Sequence, residues 1–171
     1  TTVRGIPMRH ALIAFTILAL GACNTPAPPA DDAARQQQDV AAVNAFVDHI
    51  GETFNTGNLD AFMQVFTEDA IQFNQGMPDV GGKAAIRKLY EDALAQHDIK
   101  VVFHTQEVSV SGDLAYEGGT YDILIRPRDN PAAEPMTVTN RHVHVLKRQA
   151  DGSWKTWRMM TNGSAAAEAP K

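Results

Sequence analysis

The stretch Val108-Ser109-Val110-Ser111-Gly112-Asp113-Leu114-Ala115-Tyr116 decides the fold class of this chain. Apolar and polar residues alternate into and out of a Ser-Gly-Asp turn, the period of two that sends every second side chain to the same sheet face. The same character extends on both sides. Residues Ile99–Val110, Leu114–Arg126, Met136–Gln149 and Trp154–Asn162 are rich in valine, aromatics and threonine, and are separated by Ser111-Gly112-Asp113, a Pro/Asp/Asn loop and Asp151-Gly152. Four consecutive antiparallel strands are therefore predicted. Gly118-Gly119 inside the second strand marks a bulge or bend that curves the sheet.

Upstream the period changes to that of helices. Val40, Val43, Phe46, Val47, Ile50 and Phe54 recur on one helical face and stop at Asn55-Thr56-Gly57. Asn58 is placed to cap a second, short helix that buries Leu59, Phe62, Met63, Val65 and Phe66 before Thr67-Glu68-Asp69 closes it. Ala70–Phe73 reads as a short strand, Asn74–Gly82 as turns, and Ile86, Leu89, Tyr90, Ala93 and Leu94 define a third helix. Helices first and a meander last give an α+β class, with three helices packed on one face of a curved antiparallel sheet.

The N-terminus is of a different kind. Arg4, Arg9 and His10 precede the apolar run Ala11–Leu20, the basic and apolar regions of a secretory signal. That run is too short to cross the ~30 Å hydrocarbon core as a helix. It ends in Leu20-Gly21-Ala22-Cys23, which resembles the lipobox of bacterial lipoproteins. The resemblance implies cleavage after residue 22, lipid on Cys23 and attachment to the membrane, since more than one acyl chain anchors stably. Asn24 after the cysteine implies the outer membrane, facing the periplasm, and Met8 is a candidate start. Residues 23–38 are proline-rich and poor in apolar bulk, so a disordered tether is expected there, then a domain over 39–163 and a disordered tail over 164–171.

Composition excludes several classes. A formal charge of −5 without a basic run offers no footprint for nucleic acid. With a single cysteine, neither an intramolecular disulfide nor a multi-cysteine zinc site can form. Gly-x-Ser-x-Gly, Gly-x-x-x-x-Gly-Lys and Gly-x-Gly-x-x-Gly are all missing, so covalent and nucleotide chemistry lose support.

The element order resembles the nuclear-transport-factor-2-like superfamily, in its SnoaL-like and ketosteroid-isomerase-like branch. Supporting strings are Phe54-Asn55-Thr56-Gly57-Asn58-Leu59-Asp60, Phe66-Thr67-Glu68-Asp69-Ala70, Gly81-Gly82-Lys83-Ala84-Ala85-Ile86 and Asp151-Gly152-Ser153-Trp154-Lys155, with Asn162 at the end. The resemblance implies a conical half-barrel around an apolar cavity, often in a homodimer. It also places the isomerase base at Asn74 and the isomerase tyrosine at Ile50, and neither residue can do that work.

The polar residues that remain are the candidates. His142-Val143-His144 puts two imidazoles on one strand face, and His104 is expected to be able to join them as zinc ligands or to leave one of them as a general base beside Asp122. Tyr121 and Asp122 follow the glycine bend, Tyr90 lies on the third helix and Trp157 on the strand face opposite Trp154. Tyr90, His104, Tyr121, His142, His144 and Trp157 are read as ligand-binding, with His142, His144 and Asp122 as catalytic candidates. No metal and no cofactor are assigned. The leading expectation is a membrane-held binding domain for a small apolar or amphipathic molecule, leaning away from catalysis. A SnoaL-like isomerase, cyclase or dehydratase with a His or Asp base and an envelope assembly module are the alternatives.

Overall fold

The computed structural model describes residues 30–163. The signal, Cys23 and the tail lie outside the described residues, as does the tether before Ala30.

Helix α1 spans Ala30–Asn55 and buries Val43, Val47, Ile50 and Phe54. It begins well before Val40, so the tether expected through Gln38 is helical from Ala30. The physical reason is local: Ala-Asp-Asp-Ala-Ala-Arg-Gln-Gln-Gln holds no proline and is mostly good helix formers, with Asp31 and Asp32 complementing the first-turn dipole. Gln36 Nε2 also donates to Val110 O at 2.9 Å, and Arg148 pairs with Asp39 at 2.7 Å. Gly57 turns the chain at φ +76. Asn58 then caps α2 (Leu59–Phe62) by accepting from Ala61 N at 3.1 Å.

A 3-10 turn over Met63–Val65 follows α2, and strand β1 starts at Phe66 and runs to Asn74. The second helix is thus shorter than expected. Phe66 belongs to the sheet because it pairs with Thr156, and Thr67-Glu68-Asp69 continue that strand rather than end a helix. Strand β2 (Val80–Gly81) folds back on β1, and α3 covers Lys83–Gln96. The meander is β3 (His97–Ser111), β4 (Leu114–Pro127), β5 (Met136–Arg148) and β6 (Trp154–Gly163).

The six strands form one curved, unclosed sheet in the order β2-β1-β6-β5-β4-β3. All neighbours are antiparallel except β1 and β6, which run parallel. Two irregularities bend it. On β3 the register slips between Thr105 and Glu107, opposite Gly118 and Gly119, so the extra residue is Gln106 and the glycines belong to its partner strand. A Cβ on Gly119 would lie 2.2 Å from His104 O, which is why only glycine fits that approach. On β6 the register slips at Trp157. The core joins Ile50, Phe54, Phe62, Phe66 and Ile86 under the helices to Val43, Val110, Leu146 and Trp154 at the other end.

Candidate functional site

Alternation along β1, β3, β4 and β6, together with α3, aims one set of side chains into a common space. That space is a cavity of about 290 Å³ walled by Phe54, Tyr90, Ala93, Ile99, Phe103, Tyr121, Ile123 and Met159. Phe62 meets Phe54, Phe66 and Tyr90 edge-on beneath it, with ring centroids 4.9–5.3 Å apart. One end is polar. Gln72 Nε2 and Thr161 Oγ1 both donate to Asn74 Oδ1, at 3.0 and 2.9 Å. Gln72 is buried, and its Oε1 finds no donor among the described residues. Asn74, Met77, Tyr121 and Thr161 also border a shallower polar vestibule with Gln75, Asn140 and Asn162.

Tyr90 and Tyr121 are the only titratable groups among the described residues lining the cavity. Burial pushes the Tyr90 phenol up, against a smaller opposite pull from Gln72, so it stays protonated. No carboxylate or imidazole is among the lining residues.

The histidines of β5 lie behind the Phe103 and Tyr121 wall. His142 and His144 share the inner face, their ring centroids 4.8 Å apart, and Phe103 meets both edge-on at 5.0 and 5.5 Å. Between them, fully buried, lies Glu117 of β4. His142 Nε2 is 3.0 Å from both Glu117 oxygens, His144 Nδ1 is 2.9 Å from Oε2, and the Thr105 hydroxyl donates to Oε1 at 2.9 Å. Burial alone would raise the Glu117 carboxyl, but the hydrogen bonds from His142 and His144 and their charge outweigh it and hold the group at about 2. An ionised carboxylate only accepts, so both imidazoles donate to it. Burial holds the His144 imidazole below its ordinary range, and Glu117 opposes that shift in part.

Glu117 is the residue sequence reasoning missed. It shares the inward phase of buried Ala115, and it stands opposite His144 in the β4–β5 register. A lone glutamate in phase with a strand's apolar positions, facing a His-x-His strand, is the signal that points to it.

His104 does not join the pair. Phe103 faces inward, so its neighbour points to the opposite sheet face, where His104 Nε2 meets Asp122 Oδ2 at 2.9 Å. Asp122, flanked by the inward Tyr121 and Ile123, lies outside for the same reason and is no partner of His142 or His144. Its carboxyl is held below the usual range by the Thr139 hydroxyl first and His104 second. Trp157 is also outside, turned outward at the β6 bulge. Its Nε1 donates to Asp69 Oδ2 at 2.9 Å, while Lys147 and Arg158 stand 3.7 and 4.0 Å from its ring centroid. Of the six expected ligand-binding residues, Tyr90 and Tyr121 line the cavity, His142 and His144 back its wall, and His104 and Trp157 lie elsewhere.

Residues 43–157 match the family model of the SnoaL-like domain. The chain belongs to that family. No curated protein matches the sequence. Solved structures give the same SnoaL-like, nuclear-transport-factor-2-like architecture at low identity. A ketosteroid isomerase-like protein from Erwinia carotovora atroseptica is 19% identical with a TM-score of 0.66, over 75% of this chain and 98% of that one. A nuclear-transport-factor-2-like protein with a cystatin-like fold from Novosphingobium aromaticivorans is 18% identical with a TM-score of 0.61, over 80% and 91%. ActVI-ORFA from Streptomyces coelicolor is 21% identical with a TM-score of 0.60, over 72% and 96%. At these identities the likeness establishes the fold of this SnoaL-like domain.

Proposed function

We propose that this SnoaL-like domain binds a small molecule with an apolar body and one hydrogen-bonding end in its cone cavity, held at the bacterial envelope by lipid on Cys23. The observation that carries the reading is the cavity's composition: apolar walls, a polar end made by Gln72, Asn74 and Thr161, and no acid or imidazole among the lining residues. Such a space favours retention over acid–base turnover. The enzyme alternative draws less support, because His142 and His144 stand behind Phe103 and Asp122 lies on the other sheet face. The anchor rests on the signal-like run and Leu20-Gly21-Ala22-Cys23.

The test is competition with 8-anilinonaphthalene-1-sulfonate, whose fluorescence rises in apolar sites. The wild-type chain is expected to bind the dye saturably. Ala93→Trp, which fills the cavity from α3, should weaken binding at least tenfold, whereas Trp157→Ala should not. Equal binding by wild type and Ala93→Trp would refute the cavity as the site. For the anchor, incorporation of labelled palmitate in a bacterial host should vanish in Cys23→Ser; labelling that persists would refute it.

A further inference from the structure

We propose that Glu117, His142 and His144 form a binding site for a divalent transition-metal ion of the zinc type. The proposal is independent of the cavity reading, since none of the three lines the cavity. Two neutral imidazoles and one carboxylate are a recurrent ligand set for such ions, for zinc and for iron(II) alike. Here they come from adjacent strands at fixed register: Glu117 opposes His144, and His142 shares the inner face of β5 with it.

Their donor atoms converge closely. All lie within 4.8 Å of one another, and each imidazole nitrogen is 2.9–3.0 Å from a Glu117 oxygen. Two donors about 2.1 Å from an ion are about 3.0 Å apart at octahedral and about 3.4 Å apart at tetrahedral angles, so the carboxylate stands within about half an ångström of that spacing to each histidine. Binding needs each imidazole to carry its proton on the nitrogen turned away from Glu117, His142 Nδ1 and His144 Nε2, which have no hydrogen-bond partner among the described residues, so that the nitrogen facing the carboxylate offers its lone pair to the ion.

Charge argues the same way. With neutral imidazoles the cluster carries one negative charge, all three side chains have no solvent exposure, and among the described residues no lysine or arginine pairs with Glu117. Two neutral imidazoles and the Thr105 hydroxyl satisfy the buried carboxylate by hydrogen bonds alone, and a divalent cation would also neutralise its charge. Phe103 closes the cavity side of the cluster, which excludes bulk water from the ion. Because the ligands are buried, the ion enters during folding rather than by diffusing into the finished domain.

The experiment follows from that last point. The full chain in mild detergent is unfolded in urea, refolded with zinc or cobalt(II), and freed of loose metal on a chelating column. Wild type and His104→Ala are expected to retain about one ion per chain, and Glu117→Gln and His144→Gln less than a tenth of that. X-ray absorption of the zinc-loaded wild type gives a readout that needs no variant to fold: two imidazole nitrogens and a carboxylate oxygen at about 2.0–2.2 Å are expected. Failure of the wild type to retain metal after refolding overturns the site. So does undiminished loading of both variants, or a spectrum showing sulfur or a single imidazole.

Discussion

Replacing Glu117 by alanine removes the shared acceptor of two buried N–H donors. In metal-free buffer His142 Nε2 and His144 Nδ1 then lose their partner, because among the described residues each is bonded only to that carboxylate. Leaving a buried donor unsatisfied costs about 1–3 kcal/mol, so the two together cost about 2–6 and centrally about 4 kcal/mol. The Thr105 hydroxyl, on an exposed residue, loses its bond to Oε1 in the same change. For a domain whose whole stability is about 5–15 kcal/mol this is a large fraction. With a urea slope near 2 kcal/mol per molar, the unfolding midpoint should fall by about 2 M. Glu117→Gln is the informative companion. Its carbonyl oxygen can serve both imidazoles while its amide donates to the Thr105 hydroxyl, so it should cost less than about 1.5 kcal/mol. Urea unfolding followed by circular dichroism with a chelator present measures both. An alanine variant within about 1 kcal/mol of wild type, or a glutamine variant as unstable as the alanine one, would show that the imidazoles are not held by this carboxylate.

The same cluster sets an acid dependence in metal-free protein. The Glu117 carboxyl, held at about 2, contributes stability that is fully present above its ordinary value of 4.5 and lost as pH falls toward 2. The His144 imidazole, held low by burial, contributes stability that is present above 6.5 and declines below it. Urea midpoints should therefore fall continuously from about pH 6.5 downward, and the part below 4.5 should shrink in Glu117→Gln. Gly119→Ala drives a Cβ into His104 O and should cost about 1–3 kcal/mol, whereas Gly81→Ala, with open space around it, should stay within about 0.5; thermal melts compare them. Asn58→Ala removes the α2 cap and should cost about 1 kcal/mol, read from the same melts.

Much of this architecture is written locally. The four meander strands fall within two residues of the segments predicted from alternation, because their turns at Gly112 and Gly152 carry positive φ that glycine supplies. The cap at Asn58 and the stop at Gly57 are likewise short-range chemistry. What alternation left open is long-range. Phe66 reads as a helical residue until β6 pairs with it, since its strand partner lies ninety positions away. The site shows the same division. His142 and His144 on one face follow from a period of two, but the parity that sends His104 and Asp122 outward depends on Phe103 and Tyr121 facing the helices. Glu117 stayed hidden because nothing nearby in sequence explains a buried carboxylate; its partners arrive from the next strand.

The last strand lies at the middle of the sheet, between the first strand and β5. Four side-chain links fasten it to β1 and the residue after it, from Trp157 and Arg158 to Asp69, Thr161 to Asn74 and Gly163 to Gln75, each bridging nearly ninety residues. A growing polypeptide therefore cannot finish its sheet until the ten residues of β6, Trp154–Gly163, are available. Until then β1 presents an open edge, and an unpaired strand of that kind exposes an incomplete chain to aggregation. Cutting before Trp154 should accordingly abolish folding altogether, where removing a strand from the β3 border would shave only one edge.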